Sequence, residues 1–143
     1  MKKSKPDRKY RILAHTADLR LEVFGKTLEE LFENAAEAIG DILYQRSKTT
    51  NASESTNEFI KIKSMNLNTL LVDFLNEIVS RSHIDKKVYK VHKVIKLEEN
   101  FIEAEITGQS VNEFDEDIKA VTYHEVDIKK DGGVWYTKLI LDI

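Results

Sequence analysis

Two stretches of this sequence carry apolar residues at helical intervals on one side only, and that one-sidedness restricts what the chain can fold into. In the first, Leu28, Leu31, Phe32, Ala35, Ala36, Ile39, Ile42 and Leu43 make one wide stripe, with Glu29, Glu33, Glu37 and Asp41 on the opposite, solvated face. In the second, Leu67, Leu70, Leu71, Phe74, Leu75, Ile78 and Val79 recur the same way, while Asp73, Asn76, Glu77 and Arg81 lie elsewhere. A helix with a single apolar side must bury it against something flat, and a sheet is the natural partner. Thr27, with Glu30 three residues on, starts the first helix in capping-box spacing, and the periodicity carries it to about Tyr44 or Gln45. Asn66 or Asn68 opens the second.

The remainder reads as strands. Tyr10, Ile12 and Ala14 alternate with polar neighbours, as do Leu19, Leu21 and Val23, so 10–14 and 19–24 form a hairpin-like pair ending at Gly25. Residues 46–57 are rich in Ser, Thr and Asn and read as an exposed loop, the segment expected to move most. Phe59, Ile60 and Ile62 form a short strand with Lys61 and Lys63 facing water. Residues 88–97 alternate imperfectly, Glu98-Glu99-Asn100 makes a turn, and 101–108 alternate cleanly. An acidic loop over 112–117 precedes a strand over 121–129, a turn at Asp131-Gly132-Gly133 and a last strand over 135–143. The order is β-β-α-β-α-β-β-β-β. It predicts an α+β two-layer sandwich: one mostly antiparallel sheet with both amphipathic helices on one face.

With 143 residues, 41% hydrophobic and 33% charged, the chain is expected to be a single globular domain. It contains no cysteine, which excludes disulfides, thiolate catalysis and Cys-built zinc sites. No apolar run approaches a membrane span, and with no signal-like stretch the expected location is the cytoplasm. The net charge is -3, and basic residues cluster only at Lys2, Lys3, Lys5, Arg8, Lys9 and Arg11, a start expected to fray. Tight autonomous nucleic-acid binding is therefore disfavoured, whereas contact with RNA held by a partner is not.

Common catalytic motifs are absent. The five glycines form no phosphate loop, no His pair has zinc spacing, and no Ser or Thr sits in a nucleophile elbow. Oxygen groups at the two ends remain. His15-Thr16-Ala17-Asp18 interrupts the first strand pair, and the sequence closes on Leu141-Asp142-Ile143. Asp18, Asp142 and the terminal carboxylate of Ile143 could meet at one sheet edge and hold a hard divalent cation such as Ca²⁺ or Mg²⁺. On spacing alone the plainer reading is favoured: Asp18 caps its own turn and Asp142 is solvated. A second candidate is Lys119-Ala120-Val121-Thr122-Tyr123-His124-Glu125. In a strand, Lys119, Val121, Tyr123 and Glu125 would share one face. Lys119 could meet a phosphate, a nucleotide or the Asp18 cluster, or be a surface lysine. Tyr123 and His124 could equally be a half-buried, satisfied strand pair. His83 and His92 carry no signal.

Taken together, the His15–Asp18 opening, the Leu28–Ile39 helix, Leu70-Leu71-Val72-Asp73-Phe74-Leu75-Asn76-Glu77, Lys119–His124 and the closing Asp142-Ile143 resemble the archease family over nearly the whole chain. The resemblance implies a small cytoplasmic, non-catalytic protein that activates an RtcB-type RNA ligase in tRNA splicing and RNA repair. Such a factor promotes guanylylation of the ligase, allows multiple turnovers and broadens nucleotide use, meeting RNA and GTP only through the ligase. It implies metal ligands at Asp18, Asp142 and Ile143 for Ca²⁺, Mg²⁺ or Mn²⁺. Lys119 and His15 would be functional beside them, with Tyr123 and His124 secondary. Chaperone-like behaviour is also ascribed to the family. The competing enzyme reading is a stand-alone metal-dependent phosphoesterase built on Asp18, Asp142 and Lys119. It lacks a general base and ligands for a second metal.

Overall fold

The structure is a computed structural model that describes residues 8–15, 18–45 and 55–143, the side chains of 14, 15, 55 and 56 excepted. Its strands are antiparallel throughout. β1 (Tyr10–His15) pairs with β2 (Asp18–Gly25) through a ladder that slips between Ile12 and Ala14. β8 (Val134–Asp142) runs along the other side of β2, from Gly25 opposite Trp135 to Asp18 opposite Asp142. Two short strands, β6 (Ala120–Val121) and β7 (Lys129–Asp131), pair with β8 to complete a five-stranded sheet. A second, three-stranded sheet has the order β3 (Ser55–Lys63), β5 (Phe101–Ser110), β4 (Lys87–Glu98). The α+β class, the antiparallel pairing and the two helices match the periodicity. The strands are divided between two sheets rather than gathered in one.

Capping fixes both helix starts. In α1 (Leu28–Leu43) the Thr27 hydroxyl accepts from Glu30 N–H at 3.0 Å, and the Glu30 carboxylate accepts from Lys26 N–H at 2.7 Å, one residue earlier than a standard capping box. α2 (Leu67–Asp85) opens at Asn66, whose side chain accepts from Thr69 N–H at 2.9 Å, and stops at Lys86, which takes the left-handed conformation at φ 55°. Leu31, Phe32 and Ile39 of α1 and Leu71, Phe74 and Leu75 of α2 are fully buried against Leu21, Val23 and Leu139 of one sheet and Ile60, Ile102 and Ala104 of the other. Phe32 and Phe74 join the helices, with ring centroids 5.9 Å apart. Tyr89 packs its ring on Gly108, where a Cβ would come within 2.4 Å of it, so the position admits only glycine. Its hydroxyl donates to Glu58 at 2.6 Å and Asp85 at 2.9 Å. Burial, then those two hydrogen bonds, push the phenol well above its usual range.

Several local expectations are corrected. The imperfect alternation of β4 has a cause: its ladder slips between Val91 and Lys93 and again between Val94 and Lys96. Tyr89, Val91, Val94 and Leu97 can therefore all turn inward at changing intervals. The strand expected over 121–129 is broken, because only Ala120–Val121 and Lys129–Asp131 join β8 and 122–128 leave the ladder. Of the loop expected over 46–57, residues 55–57 belong to β3 and 46–54 lie outside the described residues. The basic start is partly engaged, Lys9 with Glu37 at 3.0 Å and Arg11 with Glu22, while 1–7 lie outside the described residues.

The acidic side of α1 is not a fully solvated face. Glu33, Glu37 and Asp41 are half-buried and line a hollow of about 810 Å³ between α1 and β4. Burial, followed by the charges of Glu30 and Glu29, raises the Glu33 carboxyl above its ordinary 4.5. A folded-state pKa above the unfolded one favours folding while the group is protonated, and that gain is lost as pH rises through the folded value. Glu33→Gln is therefore expected to raise the thermal midpoint at pH 7, with the difference closing below pH 4.5. Melting curves of both proteins at the two pH values check this.

Candidate functional site at the Asp18–Asp142 edge

The β2–β8 ladder sets Asp18 directly opposite Asp142, and β6 sets Ala120 opposite Asp142 on the other side. The next rung is Leu19 opposite Leu141, buried to 5% and 0% exposure on the helix side of the sheet. Alternation therefore turns both aspartates to the outer face. Side chains directly opposite on antiparallel strands have Cβ atoms about 4.5–5.5 Å apart, within reach of one shared ion. Asp18 thus begins a strand, and Thr16 and Ala17, the turn expected before it, lie outside the described residues.

Lys119 joins the same corner through its backbone, its N–H donating to the Asp142 carbonyl at 2.7 Å, and its side chain is exposed. Ile143 follows directly, half-buried against the margin of the core. The backbone of His15 lies opposite Leu19, one step from Asp18, but its side chain lies outside the described residues, as do Thr16 and Ala17. Tyr123 and His124 are not in a strand, so the common face expected for Lys119, Val121, Tyr123 and Glu125 does not form. His124 is exposed, with its N–H on the Thr122 hydroxyl at 3.3 Å. The Tyr123 hydroxyl donates to Asp73 of α2, and that hydrogen bond, ahead of burial, raises its pKa.

Arg20 was not singled out by sequence reasoning, although the strand period of two puts it on the face of Asp18. Its Nε lies 3.8 Å from Asp18 Oδ1, and its Nη1 lies 3.4 Å from Glu125 Oε2. Both pairs are exposed, so each holds its partner weakly and can be exchanged for another cation. Glu125 itself sits in the left-handed region at φ 64°.

A polar stripe along α2 holds the segment that carries Lys119. Asn76 Nδ2 donates to the Val121 carbonyl at 2.9 Å and Asn76 Oδ1 accepts from Val121 N–H at 2.8 Å, so one carboxamide takes the place of a neighbouring strand for β6. Asp73, one turn earlier, receives Tyr123 on one oxygen and the Ser64 hydroxyl on the other at 2.8 Å. Asn68 accepts from Ile128 N–H at 2.8 Å. His83, without signal in the sequence, places Nε2 2.8 Å from the Ile118 carbonyl and packs edge-on against Phe114. The i, i+3 spacing of Asp73 and Asn76 was legible as a polar face. What it would hold was not, because the partners lie about fifty residues away.

Among the described residues, no three His, Cys, Asp or Glu side chains gather closely enough to enclose a metal. The edge instead offers an open, oxygen-only pair of carboxylates, Asp18 and Asp142. That donor chemistry fits a hard divalent cation keeping part of its water, and not a closed zinc centre. Asn76→Ala leaves two backbone groups of Val121 without their partner, at a cost of about 1–3 kcal/mol. The expected result is a lowered melting temperature with amide exchange accelerated first at Val121 and Thr122, while the core amides of α1 stay protected. Hydrogen exchange read by NMR checks it.

Residues 10–143 match the model of the Archease protein family (MTH1598/TM1083). The chain is 35% identical over 148 aligned positions to protein archease of Methanosarcina barkeri, covering 98% of this chain and 99% of that one. It is 33% identical to protein archease of Pyrococcus furiosus, covering 90% and 94%. Its fold is similar to the solution structure of Methanobacterium thermoautotrophicum protein 1598, with a TM-score of 0.70 at 27% identity over 94% of this chain and 98% of that one. It is also similar to the crystal structure of a Thermotoga maritima archease described as a possible chaperone, with a TM-score of 0.62 at 23% identity over 100% and 99%. The family model spans the chain from the first strand to residue 143, and relatives of 30% identity or more cover nine-tenths of it or better: the chain belongs to the archease family.

Proposed function

We propose that this archease-family protein is a non-catalytic accessory factor that activates an RtcB-type RNA ligase by promoting its guanylylation and successive turnovers. The observation that carries the reading is the rung joining Asp18 to Asp142, which gathers two carboxylates from distant parts of the chain on one open face. Two carboxylates this close repel each other in water, and a bound cation removes that cost. Asp18, Asp142 and the terminal carboxylate of Ile143 would hold Mg²⁺, Ca²⁺ or Mn²⁺, with Arg20 the resident counter-ion that it displaces. Such an ion, when bound, neutralises phosphate charge near the ligase's nucleotide. The exposed Lys119 adds a positive group beside it, and the half-open geometry lets the edge enter another protein's active site. RNA and GTP are then met through the ligase, in keeping with a net charge of -3. Among the described residues no helix is long and apolar enough to cross a membrane.

A chaperone-like role is the second reading. It draws on the description of the Thermotoga maritima relative and on two apolar side chains of the second sheet, Phe59 and Ile95, which are 57% and 44% exposed. It would appear as suppression of client aggregation independent of divalent metal.

The expected outcome for the accessory-factor reading is that Asp18→Ala and Asp142→Ala keep the wild-type melting profile but lose stimulation. Lys119→Ala should lose stimulation while keeping cation affinity. A guanylylation time course with limiting ligase, run beside calorimetric titration with Mg²⁺ and Ca²⁺, reads both. Full stimulation by the two aspartate variants would remove the mechanism.

A further inference from the structure

The Arg20 guanidinium stands between two carboxylates that come from distant parts of the chain. Its Nε lies 3.8 Å from Asp18 Oδ1 and its Nη1 lies 3.4 Å from Glu125 Oε2. Asp18 and Arg20 are two residues apart on β2, so they share its outer face about 6.8 Å from each other along the strand. Glu125 arrives from the far side of β8. Arg20 is opposite Ile140, and the Ile140 carbonyl accepts from Thr122 N–H at 2.9 Å, which brings the start of the 122–128 segment level with Arg20. That segment is anchored on both sides of Glu125. Before it, Asn76 clamps Val121 and Asp73 takes the Tyr123 hydroxyl. After it, Asp127 N–H donates to the Thr137 hydroxyl at 2.9 Å and Ile128 N–H to Asn68 at 2.8 Å. Glu125 itself is left-handed at φ 64°, where Gly or Asn would be the usual residue. Either would ease the backbone, and neither would supply a carboxylate to Arg20. The anion is thus held in place, and the long arginine side chain is the partner with freedom to move.

The geometry points to Glu125 as a positioning residue for the acidic edge: it draws Arg20 away from Asp18, so that a divalent cation finds the Asp18–Asp142 pair open. The inference rests on the cation-binding reading proposed above and deepens it by naming what sets the affinity of that edge. A guanidinium and a divalent ion compete for the same Asp18 oxygens. The apparent affinity for the ion therefore scales with the fraction of molecules in which Asp18 is not paired with Arg20. Glu125 raises that fraction by offering the guanidinium a second carboxylate. It is not itself a ligand, because among the described residues no three His, Cys, Asp or Glu side chains gather closely enough to share a metal. Its influence on the ion passes through Arg20. Both ion pairs are partly exposed, which keeps each weak enough to exchange and sets the size of the effect at a few fold.

The test is calorimetric titration of the full chain with Mg²⁺ and with Ca²⁺, on wild type, Arg20→Gln, Glu125→Gln and the double variant, with ¹H–¹⁵N spectra recorded through each titration. Arg20→Gln should tighten cation binding about threefold, and Glu125→Gln should weaken it about twofold to threefold. In the Arg20→Gln background, removing the Glu125 carboxylate should change the affinity by less than about 1.5-fold, because no arginine is left for it to hold. Arg20→Lys keeps a mobile cation and should keep the Glu125 effect. Glu125→Gly, which eases the left-handed backbone but also lacks the carboxylate, should bind cations as Glu125→Gln does. In wild type the Arg20 Nε–H resonance should move with the Asp18 amide on one binding curve. Additive effects of the two substitutions would make Glu125 a direct attractor of the ion and overturn the inference, as would unchanged affinity in both single variants. A wild-type chain that binds neither ion, or that binds them equally well as Asp142→Asn, overturns the cation reading and this inference with it. Binding that needs Asp142 yet ignores Arg20 and Glu125 overturns this inference alone.

Discussion

The pairing of β2 with β8 is the interaction on which the rest of the molecule depends. It runs unbroken from Gly25 opposite Trp135 to Asp18 opposite Asp142, so every rung closes a loop of more than a hundred residues. Closing so long a loop is entropically costly, and the return is the burial of Leu19, Leu21, Val23, Leu139 and Leu141 beneath α1. Because the side-chain period of a strand is two, a slip of one residue would turn those leucines into water and both aspartates into the core. The core therefore sets the register, and the register sets the acidic edge. The two carboxylates need no energy of their own to find each other.

The second dependence is on α2. Its apolar side belongs to the core, and its polar side is committed to the segment from Phe114 to Ile128 through His83, Asn76, Asp73 and Asn68. A two-residue strand such as β6 has too few ladder bonds to stand alone. The Asn76 carboxamide completes it from the helix side, just as β8 does from the sheet side. Lys119 is thus placed by its own N–H on the Asp142 carbonyl and, one residue beyond Ala120, by the Asn76 clamp on Val121.

Much of this was legible in the sequence, for identifiable reasons. Both helices were found because eight and seven apolar residues recur at a fixed interval, and Thr27 and Asn66 carry side chains that satisfy free N–H groups. The Asp131-Gly132-Gly133 turn was found because both glycines sit at positive φ, 58° and 79°. The division into two sheets was not legible, since alternation says which side a residue faces and not which neighbour its strand takes. Residues 122–128 read as strand because Val126 and Ile128 alternate with polar neighbours, yet those backbone groups are taken by Thr137 and Asn68 side chains at Asp127 and Ile128. Asp18 and Asp142 were singled out one by one, but only the fold could make them a pair.

The same alternation explains why one strand end can serve two purposes. At the start of β2, Asp18 points outward and Leu19 inward. Outward lie an aspartate pair, an arginine free to change partners and an exposed lysine, all polar and open to water. Inward, Leu19 joins Ile12 and Ile42 around a hollow beside the last turn of α1, where Asp41 takes the Tyr10 hydroxyl at 2.8 Å. Polar groups and core packing thus meet on opposite faces of one strand, a single residue apart. The rung that holds Asp18 to Asp142 is continuous with the one that holds Leu19 to Leu141, so the buried pair keeps the outward pair in register. That arrangement needs no moving part, only a strand whose two faces answer to different chemistry.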